Sequence, residues 1–204
     1  MPHSDETAVL DHQVKVIDAD DKTMFGFWVY IMTDCVLFAS LFATYAVLHK
    51  NTFGGPSGQD IFNLRYILAE TIVLLCSSFT CGLGILSARN GHKQKVLFWF
   101  GITFLLGATF LGLELSDFHH LVVIHDSWRV SGFLSSFFTL VGTHGAHISV
   151  GLLWMAVMML RVWQTGLNRV NVRRLTLLSI FWHFLDLVWI FIFTIVYLFG
   201  ALGI

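Results

Sequence analysis

The sequence predicts an all-α membrane protein that consists of a bundle of five transmembrane helices. Of the 204 residues, 56% are hydrophobic and 12% are charged, which is about half the charged share of a soluble domain. Five windows of about 20 apolar residues follow one another, and this is the length that crosses ~30 Å of hydrocarbon. The formal net charge of −1 provides no basic field for nucleic acid.

The elements follow in a simple order along the chain. Residues 1–23 are polar and acidic and are predicted to form a cytoplasmic tail, and residues 24–204 are predicted to form one transmembrane domain. Because the connections are short, consecutive helices should pack as antiparallel neighbours. The predicted spans run over about 24–48, 65–88, 96–115, 133–160 and 177–201.

The distribution of basic residues predicts the orientation in the membrane. Of the 12 Lys and Arg residues, nine lie in the N-terminal tail, the turn at 89–95 and the loop at 161–174. The other three are Lys50, Arg65 and Arg129, on the opposite side. Because cytoplasmic loops carry the excess of Lys and Arg, we expect the N-terminus in the cytoplasm and the C-terminus in the periplasm.

Each predicted span carries at least one ionisable side chain. Such residues are costly in hydrocarbon and usually face a bundle interior or a wet cavity. At 1.5 Å per residue, Asp34 lies at the depth of Asp186, and Glu70 lies at the depth of His144. The candidate residues for a buried polar or proton-conducting role are Asp34, Glu70, Glu114, His144, His147, His183 and Asp186.

Three interpretations of these side chains compete. The histidines at 144 and 147 and at 183 could ligate haem or a metal, or the carboxyls and histidines could relay protons. We favour a structural interpretation, in which these groups hydrogen-bond across helices and lock the bundle. Glu114, with Asp117, His119 and His120, is expected near a membrane surface, where it is solvated or meets a partner.

Small residues spaced by four predict close helix packing at Ala39/Ala43, Ser78/Gly82, Ala108/Gly112 and Gly142/Ala146. The motifs of soluble enzymes are absent, including glycine-rich phosphate loops, H-E-x-x-H and G-x-S-x-G. We therefore predict no catalytic residue and no resident cofactor or metal in this chain.

Two helical motifs carry a resemblance to a known family. W-H-F-x-D-x-V-W at 182–189 and H-G-x-H at 144–147 resemble subunit III of the haem-copper respiratory oxidases, and the likeness runs from residue 25 to the C-terminus. The stretches GGPSGQDIF at 54–62 and SDFHHLVV at 116–123, together with five helices rather than seven, look most like the bacterial bo-type ubiquinol oxidases.

The resemblance implies a subunit without a redox centre in the bacterial inner membrane. In the family, haem b, haem o and copper reside in subunit I of a proton-pumping complex that oxidises ubiquinol and reduces dioxygen. The implied partners are subunits I, II and IV and membrane phospholipid. The implied role is to support assembly, lipid binding and sustained turnover beside subunit I.

The resemblance also implies roles for individual residues. Asp34 aligns with a buried carboxylate, a Glu in mitochondrial relatives, that reacts with a hydrophobic carbodiimide. Glu114 matches a family acidic position, whereas Glu70 stands where mitochondrial members lack an acid. His144, His147, His183 and Asp186 match family positions that we interpret as the polar lock. Arg65 and Arg161 are predicted to contact lipid phosphate because they lie at helix ends.

Other functions remain open from the sequence. Within the family, the chain could be subunit III of a cytochrome c oxidase or belong to a nitric-oxide reductase system. In a different class, it could be a stand-alone proton-coupled transporter that uses Asp34, Asp186 and Glu70 as a relay, although no internal repeat typical of transporters is present. A bis-histidine haem protein is the third alternative.

Overall fold

The computed structural model describes residues 3–48, 64–124 and 132–202, with side chains described over 22–48, 65–117 and 132–200. These residues form α1 (His3–Leu48), α2 (Leu64–Arg89), α3 (Lys93–Ile124), α4 (Gly132–Thr165) and α5 (Arg169–Ile192). A π-helical segment at Phe193–Leu198 and a last helical turn, α6 (Phe199–Leu202), extend α5. No strand occurs in the described ranges.

Five stretches of these helices are long and apolar enough to cross a membrane. They are Lys22–Leu48, Arg65–Arg89, Lys93–Asp117, Gly132–Thr165 and Arg169–Leu198. Each contains most of one predicted span, so the predicted fold class of five transmembrane helices is confirmed. Helix α1 begins at His3, so the backbone of the predicted polar tail is itself helical over most of its length.

Left-handed glycines end two of the helices. Gly91 has φ 74°; its N–H donates to the Ala88 carbonyl, and the N–H of His92 donates to the Ser87 carbonyl. This pair of bonds is the Schellman motif, and it satisfies carbonyls at the end of α2. Gly166 has φ 73° and its N–H donates to the Val162 carbonyl at the end of α4.

The turn between α4 and α5 is closed by asparagine side chains. Asn168 caps α5, with its Oδ1 accepting from the N–H of Asn171 at 2.7 Å, and such a cap satisfies one of the free N–H groups of the first turn. Asn171 Nδ2 in turn donates to Thr165 Oγ1 at 2.9 Å and to the Gly166 carbonyl at 2.8 Å. The turn therefore has little freedom to open.

The chain divides into two compact units, residues 1–37 and 38–204. In the first unit, the described part of α1 buries Ile31 and Asp34 and exposes Phe25, Trp28 and Met32. In the second unit, α2 packs on α3, α3 on α4 and α4 on α5, and α5 closes the ring against α2. The last part of α1 joins this second unit, where Phe38 contacts Phe184 and Tyr45 contacts Phe133.

Glycines let large rings approach helix backbones at specific points of the ring of helices. A Cβ added to Gly107 of α3 would lie 2.8 Å from Trp182, and one added to Gly151 of α4 would lie 3.1 Å from the same indole. A Cβ on Gly84 of α2 would lie 2.8 Å from Phe100. Trp182 therefore fills the space between α3 and α4 because both helices lack a side chain there.

Three of the glycines in the small-residue pairs meet no neighbour among the described residues. Within the described part of the chain, no atom lies within 4 Å of a Cβ built on Gly82, Gly112 or Gly142. Spacing by four places small residues on one face of a helix, but it does not decide whether that face points into the bundle. At these three positions close helix packing stays a prediction.

Candidate functional site: two polar clusters in the helix bundle

The ionisable side chains of the second unit fall into two clusters. The first, called here the His183 cluster, consists of His183 and Asp186 of α5 and Ser78 of α2. The second, called here the Glu114 cluster, consists of Glu70 of α2, Glu114 and Asp117 of α3 and His144 of α4. Each cluster draws its residues from more than one helix, as the structural interpretation requires.

In the His183 cluster, the histidine links α5 to α2. His183 Nδ1 lies 2.6 Å from Ser78 Oγ, which is a short hydrogen bond whose donor depends on the imidazole tautomer. Asp186 Oδ2 lies 3.6 Å from the same nitrogen, beyond hydrogen-bonding distance. The Asp186 side chain is 8% exposed and that of His183 is 46% exposed, so the imidazole stands between the buried carboxyl and the outside of the bundle.

Further polar bonds join the same two helices above and below this cluster. The indole Nε1 of Trp182 donates to Ser77 Oγ at 3.2 Å, and that of Trp189 donates to Thr71 Oγ1 at 3.1 Å. Toward the other end, Cys81 Sγ contacts Ser179 Oγ at 3.6 Å. As the residue number on α5 rises from Ser179 to Trp189, the number of its partner on α2 falls from Cys81 to Thr71. This is the pairing of antiparallel helices. Together these contacts form a ladder between α2 and α5.

Sequence reasoning missed the α2 half of this ladder. It singled out ionisable residues as polar partners and assigned no such role to Thr71, Ser77 or Ser78, which carry no charge. A signal was present, since a buried Trp N–H usually finds a partner and the motif at 182–189 contains two Trp. Thr71, Ser78 and Cys81 also lie on one face of α2, which is typical of a helix face that packs against polar groups of another helix.

In the Glu114 cluster, His144 is held in one orientation. Its Nε2 lies 3.3 Å from the Leu185 carbonyl oxygen, and because a carbonyl only accepts, Nε2 carries the proton. The ring stacks on Trp189 at 5.2 Å and meets the edge of Phe110 at 6.1 Å. Nδ1 faces Glu114 Oε1 at 4.0 Å, beyond hydrogen-bonding distance.

Glu114 is buried, so of the two uses expected for it, solvation and contact with a partner, solvation is contradicted. Its relative exposure is 3%, because it points from α3 toward Gly145 and His144 of α4 rather than outward. His119 and His120, which were grouped with it, lie outside the residues whose side chains are described. The carboxyl that faces the imidazole is that of Glu114, and the depth match of Glu70 with His144 stays a prediction.

Glu70 adds a third helix to this cluster. It is almost fully buried in α2 and interacts electrostatically with Asp117 and Glu114 of α3. Three carboxyls and one imidazole in a bundle can hold and exchange protons, which is the chemistry of the relay interpretation. The same groups can also accept hydrogen bonds from partner helices, which is the chemistry of the structural interpretation.

His147 does not converge with His144 on a common ligand. Its Nδ1 donates to the Thr143 carbonyl at 2.7 Å on its own helix, and its ring packs on Phe38 at 5.2 Å. His144 instead faces α3 and α5. Among the residues that the structure describes, no group of three or more His, Cys, Asp or Glu side chains could hold a metal ion.

The remaining predicted residues are Asp34, Arg65 and Arg161. Asp34 is 6% exposed in the first unit, and Tyr30, one turn earlier on α1, is its side-chain hydrogen-bond partner. Its match in depth to Asp186 stays a prediction. Arg65 at the start of α2 and Arg161 near the end of α4 are exposed, and their contact with lipid phosphate also stays a prediction.

Comparison with known proteins adds an independent observation. The family model described as cytochrome c oxidase subunit III matches residues 4–201. The cytochrome bo(3) ubiquinol oxidase subunit 3 of Pseudomonas aeruginosa is 60% identical over 185 residues, covering 91% of this chain and 88% of the relative. Its counterpart in Pseudomonas putida is 52% identical, covering 91% and 89%. The cytochrome c oxidase subunit 3 of Bacillus sp. PS3 is 47% identical over 178 residues, covering 87% and 86%.

Proposed function

The chain belongs to the cytochrome c oxidase subunit III family, and from that premise we propose that it is subunit III of a bacterial haem-copper ubiquinol oxidase. In this role it carries no redox centre and acts as a scaffold beside the catalytic subunit. The observation that carries the proposal is the α2–α5 ladder, in which the residues of the family motif at 182–189 are engaged in bonds between helices.

The relatives support ubiquinol rather than cytochrome c as the electron donor of the complex. Two relatives named as ubiquinol oxidase subunits are 60% and 52% identical to this chain, whereas the relative named as a cytochrome c oxidase subunit is 47% identical. Haem b, haem o and copper would reside in subunit I. Subunits I, II and IV are the protein partners in this proposal.

The proposed setting is the bacterial inner membrane, with the N-terminus in the cytoplasm and the C-terminus in the periplasm. The five apolar helices support a multi-pass membrane protein. The basic residues near Arg89, Lys93 and Arg161 support the orientation through the excess of positive charge in cytoplasmic loops. Exposed Arg65 and Arg161 support phospholipid binding at the two membrane surfaces.

The first experiment is purification of the tagged chain in mild detergent, followed by haem and copper analysis of the proteins that accompany it. We expect a large haem- and copper-bearing subunit and ubiquinol oxidase activity in the eluate. An eluate with cytochrome c oxidase activity alone would show that the chain is subunit III of a cytochrome c oxidase instead. A stable and colourless chain recovered alone would contradict the proposal and favour the transporter alternative.

A further inference from the structure

A groove lies on the outer surface between α3 and α4. Its volume is about 370 Å³. On the α4 side its wall is made only of small residues, and on the α3 side it is made of two leucines around a carboxyl. The lining residues are Leu111, Glu114, Leu115, Gly142, Gly145, Ala146 and Ser149.

Glu114 lines this groove, although it is 3% exposed. Neither of its carboxyl oxygens accepts a hydrogen bond from any residue that the structure describes. His144 does not supply one, because its Nδ1 lies 4.0 Å from Oε1, beyond hydrogen-bonding distance. Buried polar groups are normally hydrogen-bonded, so this carboxyl requires a donor that the described part of the chain lacks.

Gly145 makes the carboxyl reachable from the groove. A Cβ at this position would lie 3.2 Å from Glu114 Oε2, so any side chain there would cover the oxygen. On either side along α4, Gly142 has no described atom within 4 Å of its Cβ position, and Ala146 is exposed. The α4 side of the groove therefore carries only small side chains over two helical turns.

One small-residue pair, Gly142 and Ala146 of α4, lies in the lining of the groove. Pairs of small residues spaced by four let another transmembrane helix approach closely, and polar side chains hydrogen-bond across such contacts. Ala108 and Gly112 of α3 are also exposed, but they lie about 120° and 160° around α3 from Glu114, outside the groove. The Gly142/Ala146 pair is therefore the one that lies beside the carboxyl without a donor.

A phospholipid headgroup is the competing occupant. Glu114 lies about 28 Å along α3 from Lys95, close to the far edge of a hydrocarbon core of ~30 Å, where an ammonium group could reach it. An acyl chain packs on apolar side chains of any size, whereas a helix backbone approaches closely only where the side chains are small. The Gly142/Ala146 pair in the lining therefore favours a helix.

We propose that the groove between α3 and α4 is the seat of a transmembrane helix from another subunit of the oxidase, and that this helix donates a side-chain hydrogen bond to Glu114. The proposal rests on the proposed function, since it takes the partner from the same complex. The donor is a hydroxyl, amide or cationic side chain at the level of Gly145.

The test uses the purified complex and a matched pair of variants. Gly142→Leu fills the groove at a position with no described atom within 4 Å, and Gly82→Leu makes the same change at an equally open position on α2. At the detergent concentration that releases half of the partner helix from the wild-type complex, we expect Gly142→Leu to lower its retention about three- to tenfold relative to Gly82→Leu. Equal retention in the two variants would overturn the proposal.

A photo-reactive diazirine side chain at Ala146, with one at Gly82 as the control, identifies the occupant in the intact complex. We expect an adduct with a transmembrane segment of another oxidase subunit from position 146 and none with that segment from position 82. A phospholipid adduct alone, or no protein adduct, would overturn the proposal. Recovery of wild-type complex with haem and copper tests the proposed function separately, so the two failures are distinguishable.

Discussion

Replacing Gly107 with alanine tests the packing of Trp182 at the centre of the bundle. The new Cβ would lie 2.8 Å from the Cζ2 and Cη2 atoms of the indole and 3.1 Å from Leu152 Cδ2. The indole has nowhere to move, because its Nε1 donates to Ser77 and its other edge lies against Gly151. Trp182 is fully buried, so the backbone of α3 must yield instead.

The expected magnitude follows from this geometry. Overpacking of a filled core costs about 1–3 kcal/mol. Gly101→Ala on the same helix is the matched control, since no described atom lies within 4 Å of its Cβ, and removing a helical glycine stabilises by roughly 0.5–1 kcal/mol. Because that gain is common to both variants, their free energies of unfolding should differ by the overpacking cost alone, about 1–3 kcal/mol.

The assay is unfolding of the purified chain by a dodecyl sulfate titration in mixed micelles, followed by circular dichroism. A double variant, Gly107→Ala with Trp182→Phe, provides a further check, because a smaller ring should relieve part of the clash and give a favourable coupling energy. If Gly107→Ala were as stable as Gly101→Ala, the close approach of the indole to α3 would be refuted.

Three further predictions concern the polar ladder and a helix end. Asp186→Asn should loosen assembly of the complex while leaving the haem content of subunit I unchanged, and a fully assembled complex that no longer pumps protons would contradict the structural role. Ser78→Ala removes the partner of His183 and should lower the free energy of unfolding by about 1 kcal/mol in the same titration, with recovery in Ser78→Thr; an unchanged value would show that the bond contributes nothing. Gly91→Ala forces a side chain into the left-handed conformation and should destabilise by about 1–2 kcal/mol, again judged against Gly101→Ala.

The positions of the helices and the family could be predicted from the sequence because the signals are local. A run of about 20 apolar residues has one stable arrangement in hydrocarbon, so the five spans follow from composition alone. The motif at 182–189 identifies the family in the same way, since its residues are adjacent in one helix. No knowledge of the neighbouring helices is needed for either conclusion.

The partners of the polar residues could not be predicted in this way. Depth along the helices suggested that Glu70 matches His144, but depth ignores helix tilt and the direction in which each side chain points. Glu114 faces His144 instead, and it is buried where its distance from the end of the span suggested solvent. Likewise, Ser77 and Ser78 carry no charge that would mark them as partners of Trp182 and His183.

The sequence by itself determined that this protein is a helical membrane bundle of the subunit III family, because apolar length and contiguous motifs act within single helices. Only the tertiary structure decided which glycines pack against an aromatic ring and which have no described atom within 4 Å of their Cβ position. Gly107 and Gly112 are the same residue on the same helix, yet one lies against Trp182 and the other lies on an uncovered surface. The difference is the rotation of α3 about its axis, which depends on packing with α2, α4 and α5 together.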